Sequence, residues 1–154
     1  MSPQEFGLLA TRWIHVLAAV VAIGGLLFMR LILLPAAQET LDEEQHQRLR
    51  DAVVARWKKL VNACIGLLLL SGIGNFIWVG IPKAKEVGAQ YHVIFGLKFM
   101  AAFGVFFLAS ALVGKSPALE GIRRQRARWM WITALLGMAA ILMGGYLGRL
   151  QPAG

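Results

Sequence analysis

Four apolar segments of membrane-spanning length constrain this chain more than any other feature. They cover residues 13–34, 60–81, 91–113 and 129–150, and each is close to the ~20 residues with which an α-helix crosses a bilayer. The chain of 154 residues is 58% hydrophobic, with a mean hydropathy of +0.63, which is too apolar for a soluble domain. The sequence therefore predicts an all-α integral membrane protein. A single domain over residues 1–154 is expected, a four-helix bundle with short helical extensions on the cytoplasmic side.

Capping signals predict where the first two helices begin. Ser2, Pro3 and Glu5 form a capping box with Ser2 as the N-cap. No basic region precedes the first apolar run, so we expect a helix that is retained rather than a cleaved signal peptide. A second capping box from Thr40 to Glu43 predicts a long helix that begins at the cytoplasmic surface and continues into the second span.

Prolines predict where the first two spans end. Pro35 closes the first apolar run and Pro82 the second, because proline removes a backbone donor and clashes with the preceding turn. Residues 83–90 are then expected to form a short outer loop. A short basic helix is predicted after Pro117, before the fourth span.

The positive charge is placed as in a membrane protein and not as in a nucleic-acid-binding protein. The net charge is +8, from 16 Lys and Arg against 8 Asp and Glu. Short basic loops stay cytoplasmic, which predicts an inner (plasma) membrane protein with both termini extracytoplasmic. Membrane lipids, whose anionic head groups the basic residues would meet, are expected partners. The basic residues between spans one and two and between spans three and four are Arg48, Arg50, Arg56, Lys58, Lys59, Lys115, Arg123, Arg124, Arg126 and Arg128.

Several residues of metal-binding types have simpler explanations. Cys64 is the only cysteine, so one chain can form neither a disulfide nor a thiolate cluster. His46 lies among polar residues, which predicts a solvated surface histidine. Four methionines of the spans are scattered in depth and favour packing over copper ligation; they are Met29, Met100, Met138 and Met143.

The polar residues of the apolar segments fall at one end of the predicted bundle. Because successive spans alternate in direction, the start of the first and third and the end of the second and fourth lie on the same side. At ~1.5 Å per residue, Asn75 and Lys98 fall roughly 6 to 8 Å outside the midplane and His92 about 15 Å outside it, with His15 between these depths. The five residues of this group are His15, Asn75, His92, Lys98 and Tyr146.

Each of the basic residues in this group has two explanations. A histidine in hydrocarbon needs a partner, so His15 is either hydrogen-bonded to Asn75 or a backbone carbonyl, or it is a ligand or proton carrier. His92 is either an interfacial anchor or part of the same cavity. Lys98 has no acidic residue within the spans to pair with. It must lose its proton, find an anion, coordinate a ligand or donate to helix-end carbonyls.

Short motifs at these positions resemble the CopD and HemJ group of small membrane proteins. Residues 13–15, 24–26 and 30–31 are similar to the first helix of that group. Residues 56–60 and the following Ser71-Gly72 resemble the next helix of CopD-type domains, and residues 92–98 resemble the helix that carries a histidine and a lysine in HemJ-type proteins. The resemblance covers all four spans in layout.

The resemblance implies two functions. HemJ-type proteins bind haem b and oxidise protoporphyrinogen IX to protoporphyrin IX, so His15 and either His92 or Lys98 would serve the haem or porphyrin. CopD-type proteins are implicated in moving copper across the inner membrane, which would make His15, His92 and methionines the copper ligands.

Haem b binding with a redox role, in HemJ-like protoporphyrinogen oxidation or electron transfer, is the function we expect. His15 and His92 are the expected metal ligands, His15, His92, Lys98 and Asn75 the cofactor-binding residues, and Lys98 and Tyr146 the catalytic groups that handle protons. A porphyrin or a quinone-type redox partner is expected, and the chain could form a homo-oligomer. The alternatives are a copper-transporting or copper-handling membrane protein, and a structural membrane protein whose histidines only join helices.

Overall fold

The structure, a computed structural model, describes residues 2–150, and this part of the chain contains helices and no β-strand. The predicted all-α class is confirmed. Four helices are long and apolar enough to span a membrane: α1 (Pro3–Thr40), α2 (Glu43–Val87), α3 (Ala89–Val113) and α4 (Arg126–Arg149). A 3₁₀ turn and the short helix Glu120–Arg124 precede α4, as the basic stretch predicts.

One of the two predicted capping boxes is confirmed and the other is wrong. The Ser2 hydroxyl accepts the Glu5 backbone N–H at 3.2 Å, and the Glu5 carboxylate accepts the Ser2 N–H at 2.7 Å. At the second position, Thr40 still belongs to α1 and cannot cap the next helix. Asp42 caps α2 instead, accepting the Gln45 N–H at 2.8 Å.

Neither Pro35 nor Pro82 ends its helix, in contrast to the prediction. The α-helix Pro3–Phe28 continues through a π-helical turn, Met29–Leu33, into residues 34–40. The second helix likewise passes through the π-helical turn Phe76–Gly80 and ends only at Val87. The predicted outer loop over residues 83–90 is therefore mostly helical.

The π-helical turns explain how each helix accommodates its proline. A proline deprives one carbonyl of its donor and its ring crowds that carbonyl, whereas a π-helical turn inserts one residue and shifts the pairing by one position. Just before each proline, the Leu34 N–H donates to the Met29 carbonyl and the Ile81 N–H to the Phe76 carbonyl. The real break between α2 and α3 is Gly88, whose φ of 79° only glycine adopts readily.

The four helices contact each other in sequence, most extensively as the antiparallel pairs α1–α2 and α3–α4, and less extensively as α2–α3 and α1–α4. Apolar clusters join them at both ends. The cluster at the end of α1 joins α1, α3 and α4, and the cluster at the end of α2 joins α2, α3 and α4. The first consists of Leu26, Met29, Leu112, Met130 and Ala134, and the second of Ala84, Tyr91 and Leu147.

Two neighbouring glycines of α1 provide a test of the α1–α2 interface. A Cβ built on Gly25 collides with the indole of Trp57 on α2, whereas one built on Gly24 meets nothing within 4 Å. We expect Gly25→Ala to lower the free energy of unfolding by about 1–3 kcal/mol, because overpacking displaces the rigid indole. Gly24→Ala is the matched control and should be neutral or slightly stabilising, since alanine favours a helix. Denaturation of both variants in detergent measures the difference, and equal stabilities would contradict the described packing.

Candidate functional site

A cavity of about 770 Å³ lies between the four helices. Its volume is within the ~300–1,000 Å³ typical of sites for small molecules and cofactors. Most of the lining is aliphatic and aromatic, so transfer of an apolar ligand from water into the cavity would be favourable. The lining residues with charged side chains or side-chain hydrogen-bonding groups are Arg12, His15, Trp57, Asn75, Lys83, Tyr91, Lys98, Arg126 and Thr133.

His15 is held by a hydroxyl of the neighbouring helix. Its Nδ1 lies 2.9 Å from Ser71 Oγ, and the Ser71 hydroxyl donates its proton to the Leu67 carbonyl one turn earlier in α2. A hydroxyl has one proton to give, so Ser71 faces the imidazole as an acceptor and Nδ1 carries the ring proton. The ring also contacts the Leu68 backbone, which adds a second acceptor on α2. With Nδ1 as the donor, Nε2 is the basic nitrogen of the ring, and no side chain of residues 2–150 hydrogen-bonds it.

Small residues of α2 bring the ring close to the backbone. A Cβ built on Gly72 would lie 3.3 Å from His15 Cε1, which is tighter than ordinary van der Waals contact. Two residues further along α2, a Cβ built on Gly74 would lie 3.4 Å from the Thr11 methyl group, which is an ordinary van der Waals contact. The tighter contact at Gly72 limits where the imidazole of His15 can lie.

Lys98 crosses the cavity from α3 towards α4. Its Nζ would lie 3.2 Å from a Cβ built on Gly144, so the absence of a side chain there makes room for the ammonium group. No hydrogen-bond or carboxylate partner is found for Lys98 within the described residues. The cavity lining contains three further cations, Arg12, Lys83 and Arg126, and no Asp or Glu of residues 2–150. The cavity is thus an electropositive environment that favours an anion.

Asn75 lines the same cavity, but it does not pair with His15 as one of the two sequence-based explanations held. Ser71 has that role because it lies one helical turn earlier on the same face of α2, level with the ring. His15, Asn75 and Lys98 therefore share one cavity, while the hydrogen bond that orients His15 comes from Ser71.

His92 and Tyr146 do not line this cavity in the part of the chain that is described. His92 is exposed, and its ring lies edge-on to that of Tyr91 with centroids 6.4 Å apart. Tyr146 is 50% exposed and accepts a hydrogen bond from Gln90 Nε2 at 3.2 Å. The structure therefore does not bring the His15 and His92 side chains together.

His46 differs from its prediction as a solvated surface residue. It is half-buried, and its Nε2 is buried without a hydrogen-bond partner in the described chain. The reason is the continuation of α1 past Pro35, since Leu34 and Ala37 line one small pocket together with His46. That pocket lies at the other end of the helices from His15.

Few side chains of the described residues are placed to ligate a metal ion. Within residues 2–150, no three His, Cys, Asp or Glu side chains lie close enough to share an ion. Cys64 is buried and free on α2, and His15 is the only histidine that lines the large cavity in the described residues. A metal at His15 would therefore need most of its ligands from a source other than such side chains.

Sequence reasoning missed Ser71 and Gly144 as members of the site. The sequence drew attention to Ser71 only through the resemblance to CopD-type domains, because counting along the span places it about 6 Å deeper than Asn75. Its contact with His15 depends on how α1 packs against α2. Gly144 is part of the Gly144-Gly145 pair, which predicts close packing. Its position opposite Lys98 depends on the rotation of two helices, which the sequence does not contain.

The arrangement combines an oriented imidazole, a lysine without a counterion and an apolar cavity. Compared with protein-family models, with curated proteins and with solved structures, the chain gives no significant match.

Proposed function

We propose that the protein is a four-helix membrane bundle that binds haem b in the cavity around His15 and uses it in a redox reaction. The observation that carries the proposal is the pairing of His15 Nδ1 with Ser71 Oγ at 2.9 Å. A histidine that ligates a metal almost always donates its other ring N–H to an oxygen, which fixes the tautomer and the ring orientation. Ser71 is that oxygen, and Nε2 is the proposed iron ligand.

The sparse donor set favours haem over a bare metal ion. A porphyrin supplies four nitrogen ligands of its own, so the protein needs to add only one or two axial ligands. A copper site built from side chains alone needs several donors at one point. One histidine, the only one of the described chain that lines the cavity, is enough for a haem but not for a copper site. The cavity volume of about 770 Å³ also suits a large planar ligand.

The charges of the cavity suit the propionates of a haem. The Lys98 ammonium has open space opposite Gly144, and Arg12 and Lys83 also line the cavity. Charge-assisted hydrogen bonds to carboxylates are the strong kind. A dianionic apolar ligand would therefore offset the cost of keeping these cations inside the molecule.

The orientation follows from the distribution of charge. The basic connections between α1 and α2 and between α3 and α4 would face the cytoplasm. Both chain termini and the His15 end of the cavity would then lie on the extracytoplasmic side. His15 and Lys98 would hold the cofactor in the outer half of the bilayer.

The proposed redox reaction needs a group that handles protons. His15 would hold the haem, which would supply a one-electron redox couple. Lys98 lines the cavity with His15 and has no hydrogen-bond partner within residues 2–150, so it is the proposed proton-handling residue for oxidation of a porphyrinogen, whose electrons would pass through the haem to a quinone-type acceptor. Tyr146 is less suited to that role because its hydroxyl pairs with Gln90 outside the cavity.

The absorbance spectrum of the purified protein tests this proposal. We expect a red protein, or a colourless one that takes up haem b at one equivalent per chain with a Soret band. His92→Ala is expected to keep the band, because the imidazole of His92 is exposed and edge-on to Tyr91. A protein that takes up no haem but binds Cu(I) would replace this function by copper handling, and one that binds neither would leave a structural role. Oxidation of protoporphyrinogen by the haem-loaded protein is the separate assay for catalysis.

A further inference from the structure

The end of the molecule opposite His15 contains buried donors that lack an acceptor. Within residues 2–150, three buried side-chain nitrogens have no hydrogen-bond partner: Arg30 Nε, His46 Nε2 and Arg123 Nη1. Most buried polar groups in proteins are paired, so an orphaned group calls for a water molecule or an ion. Of the three residues, only His46 lines the small pocket at this end. Its Nε2 is therefore the atom that calls for a water molecule or an ion in that pocket.

A small pocket at this end is lined by cations from two helices. Its polar residues are His46 and Arg50 of α2 and Arg126 of α4, and no carboxylate of the described chain lines it. The one ion pair found in residues 2–150 joins Arg48 to Glu44 outside the pocket. Arg50 and Arg126 therefore lack a counterion although they line the same pocket. A guanidinium group binds phosphate through two parallel N–H groups, which makes phosphate the best match among common anions.

The rest of the lining is apolar, so Arg50 and Arg126 are the only arginine or lysine side chains of residues 2–150 that line the pocket. The apolar residues come from α1, α2 and α4. They are Met29, Leu33, Leu34, Ala37, Leu49, Val53, Val54 and Met130.

One tryptophan marks the depth of the pocket. Trp129, the first residue of the fourth apolar segment, packs against the apolar cluster that contains Met29 and Met130, and both methionines also line the pocket. Tryptophan is enriched at the level of the lipid head groups. The pocket thus lies where the phosphate of a phospholipid would be.

We propose that this pocket binds the phosphate of an anionic phospholipid. Basic pockets between membrane helices commonly hold such head groups. The enclosed space is about 20 Å³, enough for one water molecule, which needs roughly 10–15 Å³ by this measure. The phosphate therefore lies at the mouth, between Arg50 and Arg126, and a water molecule connects it to His46 Nε2. The acyl chains run along the outer faces of the helices.

Lipid titration of the delipidated full-length protein in detergent tests the proposal. The variant pair Arg50→Gln with Arg126→Gln should bind phosphatidylglycerol about twenty-five-fold more weakly than the wild type, from roughly fivefold for each arginine. The matched control is Arg48→Gln with Arg128→Gln, which removes the same charge from exposed positions of the same two helices. This control should keep the wild-type affinity. If the first pair does not fold, each single variant, with an expected loss of about fivefold, replaces it.

Three results would overturn the proposal. An equal loss in both variant pairs would mean that only net charge attracts the lipid. Equal affinity of the wild type for phosphatidylcholine would mean that the pocket does not select an anionic head group. Displacement of phosphatidylglycerol by an equal concentration of inorganic phosphate would identify free phosphate as the ligand.

Discussion

His15→Ala is expected to abolish the Soret band of the haem-loaded protein, and Ser71→Ala to weaken haem binding about 10- to 100-fold. The first change removes the proposed ligand itself. The second removes only the oxygen that accepts the Nδ1 proton, so Nε2 is still present but the ring is free to rotate and to change its tautomer. Titration of haem into the purified variants, followed by absorbance, measures both effects.

Rescue by added imidazole distinguishes loss of the iron ligand from misfolding of the variant. His15→Ala leaves space where the ring was, and free imidazole should restore part of the Soret band by entering that space. Ser71→Ala needs no rescue, since its ligand remains. A Soret band that persists unchanged in His15→Ala would show that another residue ligates the haem iron. Wild-type haem affinity of Ser71→Ala would contradict the proposal that Ser71 fixes the tautomer of His15.

The sequence predicts depth along the helices well. The unbroken apolar runs locate the four helices, and counting at ~1.5 Å per residue puts His15, Asn75 and Lys98 in the same half of the bilayer. All three line one cavity in the structure. Depth is predictable because it depends only on the length of each apolar run and on the alternation of direction.

The direction in which a side chain points is not predictable in this way. His92 lies six residues before Lys98, which places the two about 120° apart around a helix of 3.6 residues per turn. Which of the two faces the cavity depends on how α3 packs against α4. Gly144 leaves space for Lys98, and that choice turns His92 outward. The sequence contains both residues but not the rotation of the helix.

The prolines show how a local rule fails. Pro35 and Pro82 each have the properties that end a helix, yet a π-helical turn before each one lets the helix continue. No recognised sequence signal predicts a π-helical turn. The helix ends could therefore be predicted only from the properties of proline. The consequence reaches beyond the helix boundary, because the continued α1 covers His46 and forms one wall of the pocket that also contains Arg126.

Lys98→Met should stabilise the empty protein and impair the loaded one. An ammonium group without a counterion is costly inside a membrane helix, although Lys98 is only half-buried and the cavity can admit water. We therefore expect the free energy of unfolding without haem to rise by only about 1 kcal/mol. Loss of a charge-assisted hydrogen bond to a propionate should weaken haem binding by about tenfold or more. Because a bound ligand adds to stability in proportion to the logarithm of its affinity, the order of stability of the two proteins should reverse at saturating haem.

Lys83→Met is the matched control, and its effect on the empty protein should have the opposite sign. Lys83 lines the same cavity, but its ammonium donates to the Gly148 carbonyl at 2.8 Å, which connects α2 to α4. Its loss should lower the free energy of unfolding by about 1 kcal/mol. Denaturation of both variants with and without haem gives the four values needed. If Lys98→Met destabilised the empty protein as Lys83→Met does, Lys98 would have a structural partner, and its proposed role towards a propionate would be lost.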